Sequence, residues 1–375
     1  DAVENINILL EKYPEDGELL ARLAQCYASQ KRLDDARDAY AKSIAADPQR
    51  VDSYLGYAVL LRSEFDDVAA ADELIDSMVE TNPDDYRSHL VRCTYFRAYG
   101  LMEEAYENIL KAAELAPEEM EVLLTAATIA RRTKRVDEAR EFLARAREVD
   151  GSSQEVFRLL ATIAQESNEL DLATEYVNEG LEKNPTSRLL LEMKAGLLIA
   201  DGQLDEARDV IAQLDGLRHD IEKLDFLRAQ VLLREGQYVR AAQLLESIRP
   251  LLVRDTYNRI RTNLTLITCY EKLGQNDLVI DACNRVLADQ DADDGTASMA
   301  PVAFQTMIGK QLSLPIEQRD WTRAEEHIAT IRERNEAIED PEVRERQQVN
   351  LKLYEAEILY HKGELEEAER RLSEA

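Results

Sequence analysis

Glycine, proline, cysteine and aromatic residues are all scarce in this chain of 375 residues. It contains 13 glycines, 9 prolines, 4 cysteines and one tryptophan. So few residues that interrupt helices favour an all-helical fold. The cysteines follow no CxxC or zinc-ligand spacing, although Cys269 and Cys283 share one predicted helical hairpin, where a disulfide is left open. No stretch approaches the ~18 to 20 apolar residues of a membrane span, so a soluble chain is expected.

Positive charge is also in short supply. Lysine and arginine together number 46 against 75 acidic residues, which gives a net charge of −29. A general nucleic-acid binder needs a basic face that neutralises phosphates, so we expect no nucleic-acid partner. Many of the acids precede predicted helices, where carboxylates interact favourably with free N–H groups and the helix dipole. Selection for a basic partner is the alternative explanation.

Motifs of catalysis are missing as well. The four histidines are scattered, and HExxH, Walker A and GxSxG sequences do not occur. His89 stands at a usually apolar position, so we expect a structural role for it. The acidic segment 289–300 places Asp294 and Ala300 where a calcium-binding EF-hand loop needs glycine and glutamate. We therefore expect no catalytic residue, no cofactor and no metal site, and a solvated loop at 289–300.

The most informative feature that is present is a recurring alanine. Its steps are 34 residues long, with one step of 35, in the series Ala2, Ala36, Ala70, Ala105, Ala139, Ala173, Ala207 and Ala241. The same column continues at wider spacing through Val279, Ala324 and Ala368. A repeat of this length is typical of a stacked solenoid, in which each unit packs on its neighbours.

Other columns repeat in phase with this alanine, which we number position 20 of a 34-residue unit. Position 8 is small, at Ala24, Ala58, Cys93, Ala127, Ala161, Ala195 and Ala229. Position 24 is large, at Ile6, Tyr40, Leu74, Ile109, Leu143, Val177, Ile211 and Leu245. Near position 15 a glycine can end the first helix, at Gly100, Gly202, Gly236, Gly274 and Gly363. Each unit is therefore predicted to be a first helix, a tight turn and a second helix.

This column pattern resembles the tetratricopeptide repeat (TPR) family, in its bacterial multi-repeat form. The resemblance rests on Leu20, Ala24, Tyr27, Ala36, Tyr40 and Pro48 in one unit, and on Phe157, Ala161, Ala173 and Pro185 in another. It implies an all-α, right-handed superhelix of about ten helix-turn-helix repeats, with the first helices lining a concave groove.

The units differ along the chain. Residues 1–16 read as the second helix of a truncated repeat, 17–255 as seven regular repeats, and 256–375 as looser repeats eight to ten with the insertion at 289–300. Neither end carries the polar cap that solenoids need, so we expect a fragment of a longer array that can self-associate through its uncapped ends.

The resemblance places positions 2, 5, 9, 12 and 13 of the first helix in the groove. The candidate ligand contacts are Arg62, Arg87, Arg97, Arg131 and Arg132, together with Leu55, Val59, Leu90, Thr94, Leu124 and Thr128. Arginines can hold the carboxylates of an acidic segment through forked hydrogen bonds. The alternatives are that they pair with acids of neighbouring helices, and that the apolar stripe belongs to packing between repeats. The lysine and asparagine pattern with which some TPR domains clamp a C-terminal carboxylate is absent.

The sequence therefore predicts a non-enzymatic scaffold whose groove binds a peptide or protein segment. The alternative is a recruiting arm of a larger enzyme or of a secretion or assembly complex. The excess of arginine over lysine fits a bacterial coding bias and leaves cytoplasm or periplasm open.

Overall fold

A computed structural model describes residues 2–218, 220–288, 300–336 and 341–374, and this part of the chain contains helices and no strand. The chain divides into two compact units, Asp1–Leu190 and Leu191–Ala375, which we call the N-terminal and C-terminal units. The helices of the N-terminal unit are α1 (Ala2–Lys12), α2 (Gly17–Ser29), α3 (Leu33–Ala46), α4 (Val51–Glu64), α5 (Val68–Thr81), α6 (Tyr86–Ala98), α7 (Met102–Leu115), α8 (Met120–Arg132), α9 (Val136–Val149), α10 (Gln154–Glu166) and α11 (Leu170–Lys183).

Helix α12 (Arg188–Asp201) contains the division between the two units. The helices that follow are α13 (Leu204–Gly216), α14 (Ile221–Arg234), α15 (Tyr238–Ile248), α16 (Thr256–Lys272), α17 (Asn276–Ala288), α18 (Ala300–Ser313), α19 (Thr322–Glu336), α20 (Pro341–Lys362) and α21 (Leu365–Ser373). Within the described residues, ten helix pairs thus follow the lone helix α1, with even-numbered first helices and odd-numbered second helices. The predicted all-α repeat array is confirmed.

The small residues at position 8 lie where the helices of a repeat meet. All seven of them, from Ala24 to Ala229, are buried. A side chain of one carbon lets helix backbones approach closely, and larger position-24 side chains such as Ile109 and Leu143 fill the space beside it. The position-20 residue Ala2 is exposed on α1. Val3, Ile6 and Leu10 of the same helix pack against the cluster of the first repeat.

The register of the second repeat differs from the prediction. Ala71 and Ile75 are fully buried there, whereas Ala70 and Leu74 are only half-buried. The expected column at Ala70 and Leu74 was therefore wrong by one residue. The physical reason is one extra residue between Leu61 and Asp67: the N–H of Asp67 bonds back six residues to Leu61 O, whereas that of Leu101 bonds back five residues to Phe96 O. With Ala71 in the column, the single step of 35 residues runs from Ala36 to Ala71 and not from Ala70 to Ala105.

The turn inside each pair has one conformation in nine of the ten described repeats. Five residues before the residue at position 20, with Ala71 in that place in the second repeat, φ is positive. The residues are Lys31, Asp66, Gly100, Lys134, Asn168, Gly202, Gly236, Gly274 and Gly363. The next N–H then bonds back to a carbonyl of the first helix, as from Leu101 N to Phe96 O at 2.9 Å. This is the left-handed helix ending that glycine favours.

The ninth repeat replaces that turn with a longer loop. A short 3₁₀ helix, Ile316–Gln318, follows α18. The Arg319 side chain caps the loop by donating to the carbonyls of Leu314 and Leu312, each at 3.1 Å. The segment before Trp321 therefore has a defined structure, since an arginine supplies the hydrogen bonds that the standard turn would make.

The connections between repeats carry prolines, at Pro14, Pro48, Pro83, Pro117 and Pro185. Several helices that follow begin with an aspartate cap. Asp16 Oδ1 accepts from the N–H groups of Glu18 and Leu19, and Asp85 Oδ1 accepts from that of Arg87 at 3.0 Å. Part of the acidity therefore serves helix starts.

All four cysteines are free thiols, so Cys269 and Cys283 form no disulfide. Burial raises the pKa of Cys269 to about 11 and that of Cys283 to about 12. Both behave as small apolar core residues. Most of the predicted 289–300 loop, residues 289–299, lies outside the described residues. In the part of the chain that is described, no helix is both long and apolar enough to span a bilayer.

Candidate functional site

Arg62, the first of the predicted groove arginines, is engaged inside the N-terminal unit. Its Nη1 lies 3.1 Å from Asp72 Oδ1 and donates to Tyr95 OH at 3.0 Å. Its guanidinium carbon lies 4.1 Å from the centroid of the Tyr99 ring, and its side chain is only 10% exposed. Burial raises the pKa of Tyr95 above its usual range, so the phenol stays protonated and can donate to Asp72. Arg62 thus links two repeats.

Two further arginines of the predicted set are also paired. Arg131 Nη1 lies 2.5 Å from Glu166 Oε1, one repeat further along. Arg87 bonds to Asp85, and these hydrogen bonds lower the pKa of the Asp85 carboxyl. These contacts are those of the alternative in which the arginines pair within the array.

Arg97 and Arg132 differ from the other three arginines. Neither forms an ion pair or a hydrogen bond with any residue that the structure describes. Arg97 is half-buried near the end of α6, and Arg132 is exposed as the last residue of α8. They remain available to an anionic ligand.

The apolar and threonine candidates mostly face neighbouring helices. Leu90 is buried in the core, while Leu55 and Leu124 are half-buried against it. The hydroxyls of Thr94 and Thr128 donate to the carbonyls four residues earlier, at 2.9 and 2.8 Å. Val59 is exposed to 38%. This stripe therefore contributes chiefly to packing between repeats, with Val59 as its open member.

A cleft of about 600 Å³ lies on the first helices of the C-terminal unit. It is lined by the same repeat positions on three successive first helices, α12, α14 and α16. Position 9 contributes Gly196, Gln230 and Thr268; position 12 contributes Ile199 and Leu233; and position 13 contributes Ala200, Arg234 and Lys272. We call it the α12–α14–α16 cleft.

The α12–α14–α16 cleft exists because α12 has small residues, Gly196 and Ala200, on this face. A Cβ atom added to Gly196 would meet nothing within 4 Å. Apolar side chains of Ile199, Leu233 and Leu264 line the opening. The Gln230 amide also lines it and forms no hydrogen bond within the described residues, so it can bind a peptide backbone. An apolar surface with a few polar groups is the usual composition of a binding site.

The charge of the α12–α14–α16 cleft is opposite to that of the chain. Arg234 and Lys272 line it, and no carboxylate of the described residues does. Both cations are exposed, and neither has an ion pair or hydrogen bond in the described parts of the chain. The acids beside them in sequence are engaged elsewhere, since Glu235 pairs with Arg208 and Glu271 with Lys310.

Comparison with known proteins agrees with these repeats. A family model described as the tetratricopeptide repeat matches residues 1–51 and 103–153. These two stretches match the TPR family, and the described helices repeat as pairs throughout. TPR proteins generally serve as non-catalytic scaffolds for protein–protein interaction, and this chain has the fold of such a scaffold.

Two solved structures share the fold. A tetratricopeptide repeat protein from Parabacteroides merdae is 16% identical with a TM-score of 0.51, and the alignment covers 68% of this chain and 98% of that one. Yeast Tom70 is 20% identical with a TM-score of 0.52, over 72% of this chain and 58% of Tom70. No curated protein sequence matches this chain.

The predicted structural role of His89 agrees with its surroundings. The ring is buried, and its Nε2 lies 3.1 Å from the carbonyl oxygen of Pro83. Among the described residues, no three His, Cys, Asp or Glu side chains are arranged to hold a metal ion. Neither observation introduces a catalytic or metal centre.

The α12–α14–α16 cleft was missed by the sequence analysis, which placed the candidate site in the N-terminal unit. The available signal was the loss of side chains at Gly196 and Ala200, where the preceding repeats have Thr162 and Glu166. A missing side chain is a weaker sequence signal than a run of arginines. It is nevertheless the feature that opens space for a ligand.

Proposed function

We propose that this protein binds an extended segment of a partner protein in the α12–α14–α16 cleft. The observation that carries the proposal is the cleft itself, about 600 Å³ in volume and lined by equivalent positions of three repeats. A segment lying across the three helices would meet Ile199, Leu233 and Leu264 with its side chains, and the Gln230 amide with its backbone.

The test uses a phage-displayed library of random peptides selected on the intact chain. Gly196→Phe fills the cleft with an aromatic ring without a clash at Cβ, because no atom lies within 4 Å of that position. Gly216→Phe is the matched control, since Gly216 is equally unobstructed but lies at the end of the second helix α13. Circular dichroism of both variants verifies that each is folded.

Peptides that bind in the cleft should bind the Gly196→Phe variant about ten-fold or more weakly than the unchanged chain, because the added ring displaces one apolar anchor. They should retain their affinity on Gly216→Phe. A library that yields no peptide sensitive to Gly196→Phe would refute binding in this cleft.

We also propose that Arg97 and Arg132 bind carboxylates of an acidic segment at the first helices of the N-terminal unit. This proposal keeps only part of the predicted set of groove arginines, because Arg62 and Arg131 are already paired. Combining Arg97→Glu with Arg132→Glu should weaken the binding of an acidic partner segment. Adding Arg131→Glu should also change the stability of the fold. Unchanged affinity of the double variant would exclude this contact.

Self-association is a further proposal, supported by exposed apolar side chains on α1 and on the last helices. Ile8, Leu9 and Tyr13 are each about half exposed on or just after α1, as are Leu365 and Leu372 of α21. Apolar groups at this density favour association with another chain. Light scattering over a range of concentrations tests it, and a monomer at the highest concentration would contradict it.

A further inference from the structure

The α12–α14–α16 cleft is positively charged in a chain of net charge −29. Arg234 and Lys272 occupy the same position of consecutive repeats and line one opening. Other cations of this unit are neutralised within it: Arg228 of α14 bonds to Asp215 and Asp225, at 2.7 and 2.8 Å. The two cleft cations, by contrast, have no acidic partner among the described residues.

An anionic ligand would offset the repulsion between Arg234 and Lys272. Two like charges that face one opening repel each other, and the repulsion grows when a ligand displaces water from the cleft. Carboxylates placed beside Arg234 and Lys272 would form charge-assisted hydrogen bonds, which are stronger than neutral ones. A cationic ligand would meet only repulsion there, because no carboxylate of the described residues lines the cleft.

The rest of the lining requires an apolar group on the same ligand. Gly196 and Ala200 leave a gap on α12, and Ile199, Leu233 and Leu264 form its apolar surface. An isolated inorganic or organic anion would leave this surface in contact with water. A segment with both features would bury it and would still reach the cations at position 13.

We propose that the occupant of the α12–α14–α16 cleft is an acidic segment of a partner protein, in which an apolar side chain is flanked by aspartate or glutamate. The apolar side chain fills the gap beside Gly196, and the carboxylates pair with Arg234 and Lys272. This inference rests on the proposed function and specifies the chemistry of the ligand.

The experiment examines the peptides that the phage library yields on the intact chain. Those that lose binding on Gly196→Phe and keep it on Gly216→Phe are defined as cleft peptides. We expect them to carry net negative charge around an apolar residue. Synthetic versions with amidated ends, and matching versions with each Asp changed to Asn, are then measured by fluorescence anisotropy. The acidic versions should bind about ten-fold or more tightly, as expected for charge-assisted hydrogen bonds.

A charge-reversed variant provides the control on the protein side. Arg234→Glu with Lys272→Glu should abolish the preference for acidic peptides. Arg218→Glu with Arg254→Glu makes the same change in net charge at two exposed cations outside the cleft lining and should preserve the preference. The preference should also decline as salt rises, because exposed charges are screened.

The outcomes separate the two proposals. Cleft peptides that bind equally well in their Asp and Asn forms, or that are mostly basic, would overturn the acidic ligand and leave peptide binding intact. Peptides that prefer a free C-terminal carboxylate to acidic side chains would also overturn it. If no peptide is sensitive to Gly196→Phe, the proposed function itself fails.

Discussion

The guanidinium of Arg62 lies over the ring of Tyr99, which comes from the next repeat, with 4.1 Å between its central carbon and the ring centroid. The same side chain bonds to Asp72 and Tyr95. An arginine at a predicted ligand-binding position therefore joins α4, α5 and α6. Its loss should affect the stability of the array.

Replacement of Arg62 by alanine should lower the free energy of unfolding by about 2 kcal/mol, since a charged hydrogen bond and a cation–π contact are lost together. Arg132→Ala is the control, because Arg132 is exposed and has no ion pair in the described residues. It should change stability by less than about 0.5 kcal/mol. Urea denaturation followed by circular dichroism measures both, and equal effects would contradict the assigned role of Arg62.

Two helical glycines should respond to alanine in opposite ways. A Cβ on Gly180 would lie 2.7 Å from Leu190 Cδ1 and 2.9 Å from Phe157 Cβ, so Gly180→Ala should destabilise by about 1–3 kcal/mol. A Cβ on Gly196 meets open space, so Gly196→Ala should stabilise by about 1 kcal/mol through its better helix propensity. Thermal unfolding of the two variants would show shifts of opposite sign, and a loss of stability in Gly196→Ala would argue against the open cleft.

The register of α5 can be examined by enlarging either of two adjacent alanines. Ala71→Leu should destabilise by about 1–3 kcal/mol, because Ala71 is fully buried and has no room for a larger side chain. Ala70→Leu should have less than about 1 kcal/mol of effect, since Ala70 is half-buried. If Ala70→Leu lowered the unfolding midpoint more than Ala71→Leu, the register expected from the sequence would be correct after all.

Acid should weaken the contacts of Glu246. Burial raises the pKa of this carboxyl, but hydrogen bonds from Arg285 and Arg249, at 2.8 and 2.9 Å, outweigh burial and lower it. A lowered pKa in the folded state gives stability that is present above the unfolded value of about 4.3 and is lost as the pH falls through the folded value.

Glu246→Gln should therefore destabilise by about 1–2 kcal/mol at neutral pH and by progressively less below about pH 4. The exposed Glu182, changed to Gln, serves as control and should show no such convergence with the wild type. Urea denaturation at several pH values gives the comparison. A difference between Glu246→Gln and wild type that is constant with pH would contradict the ionic role.

The periodic features of this fold could be read from the sequence, because each is imposed by packing that repeats with the chain. Ala139 and Ala173 occupy equivalent buried places, and the position-8 residues do likewise. The register error arose where Ala69, Ala70 and Ala71 follow one another. Composition alone cannot choose among three alanines, and the choice is made by one extra residue between Leu61 and Asp67.

The candidate site was harder to predict than the fold, because the availability of an arginine depends on its neighbours in space. Arg62 and Arg234 look alike in sequence, yet only Arg62 has Asp72 and an aromatic ring beside it. One sequence signal could have been used: Glu166 follows Arg131 by one repeat, whereas Arg234 has no acid at the equivalent distance. This signal does not suffice by itself, because Glu166 also stands 34 residues after the unpaired Arg132, and the acid that pairs with Arg62 is Asp72 of its own repeat.

The uniform left-handed turn also bears on how such a chain can change its length. Because the backbone passes through the same conformation at Gly100 and at Lys134, removing the residues between these two points would join ends that already match. A duplication between them would do the same. Genes of this kind can thus gain or lose whole modules by simple recombination, and each product inherits a workable joint.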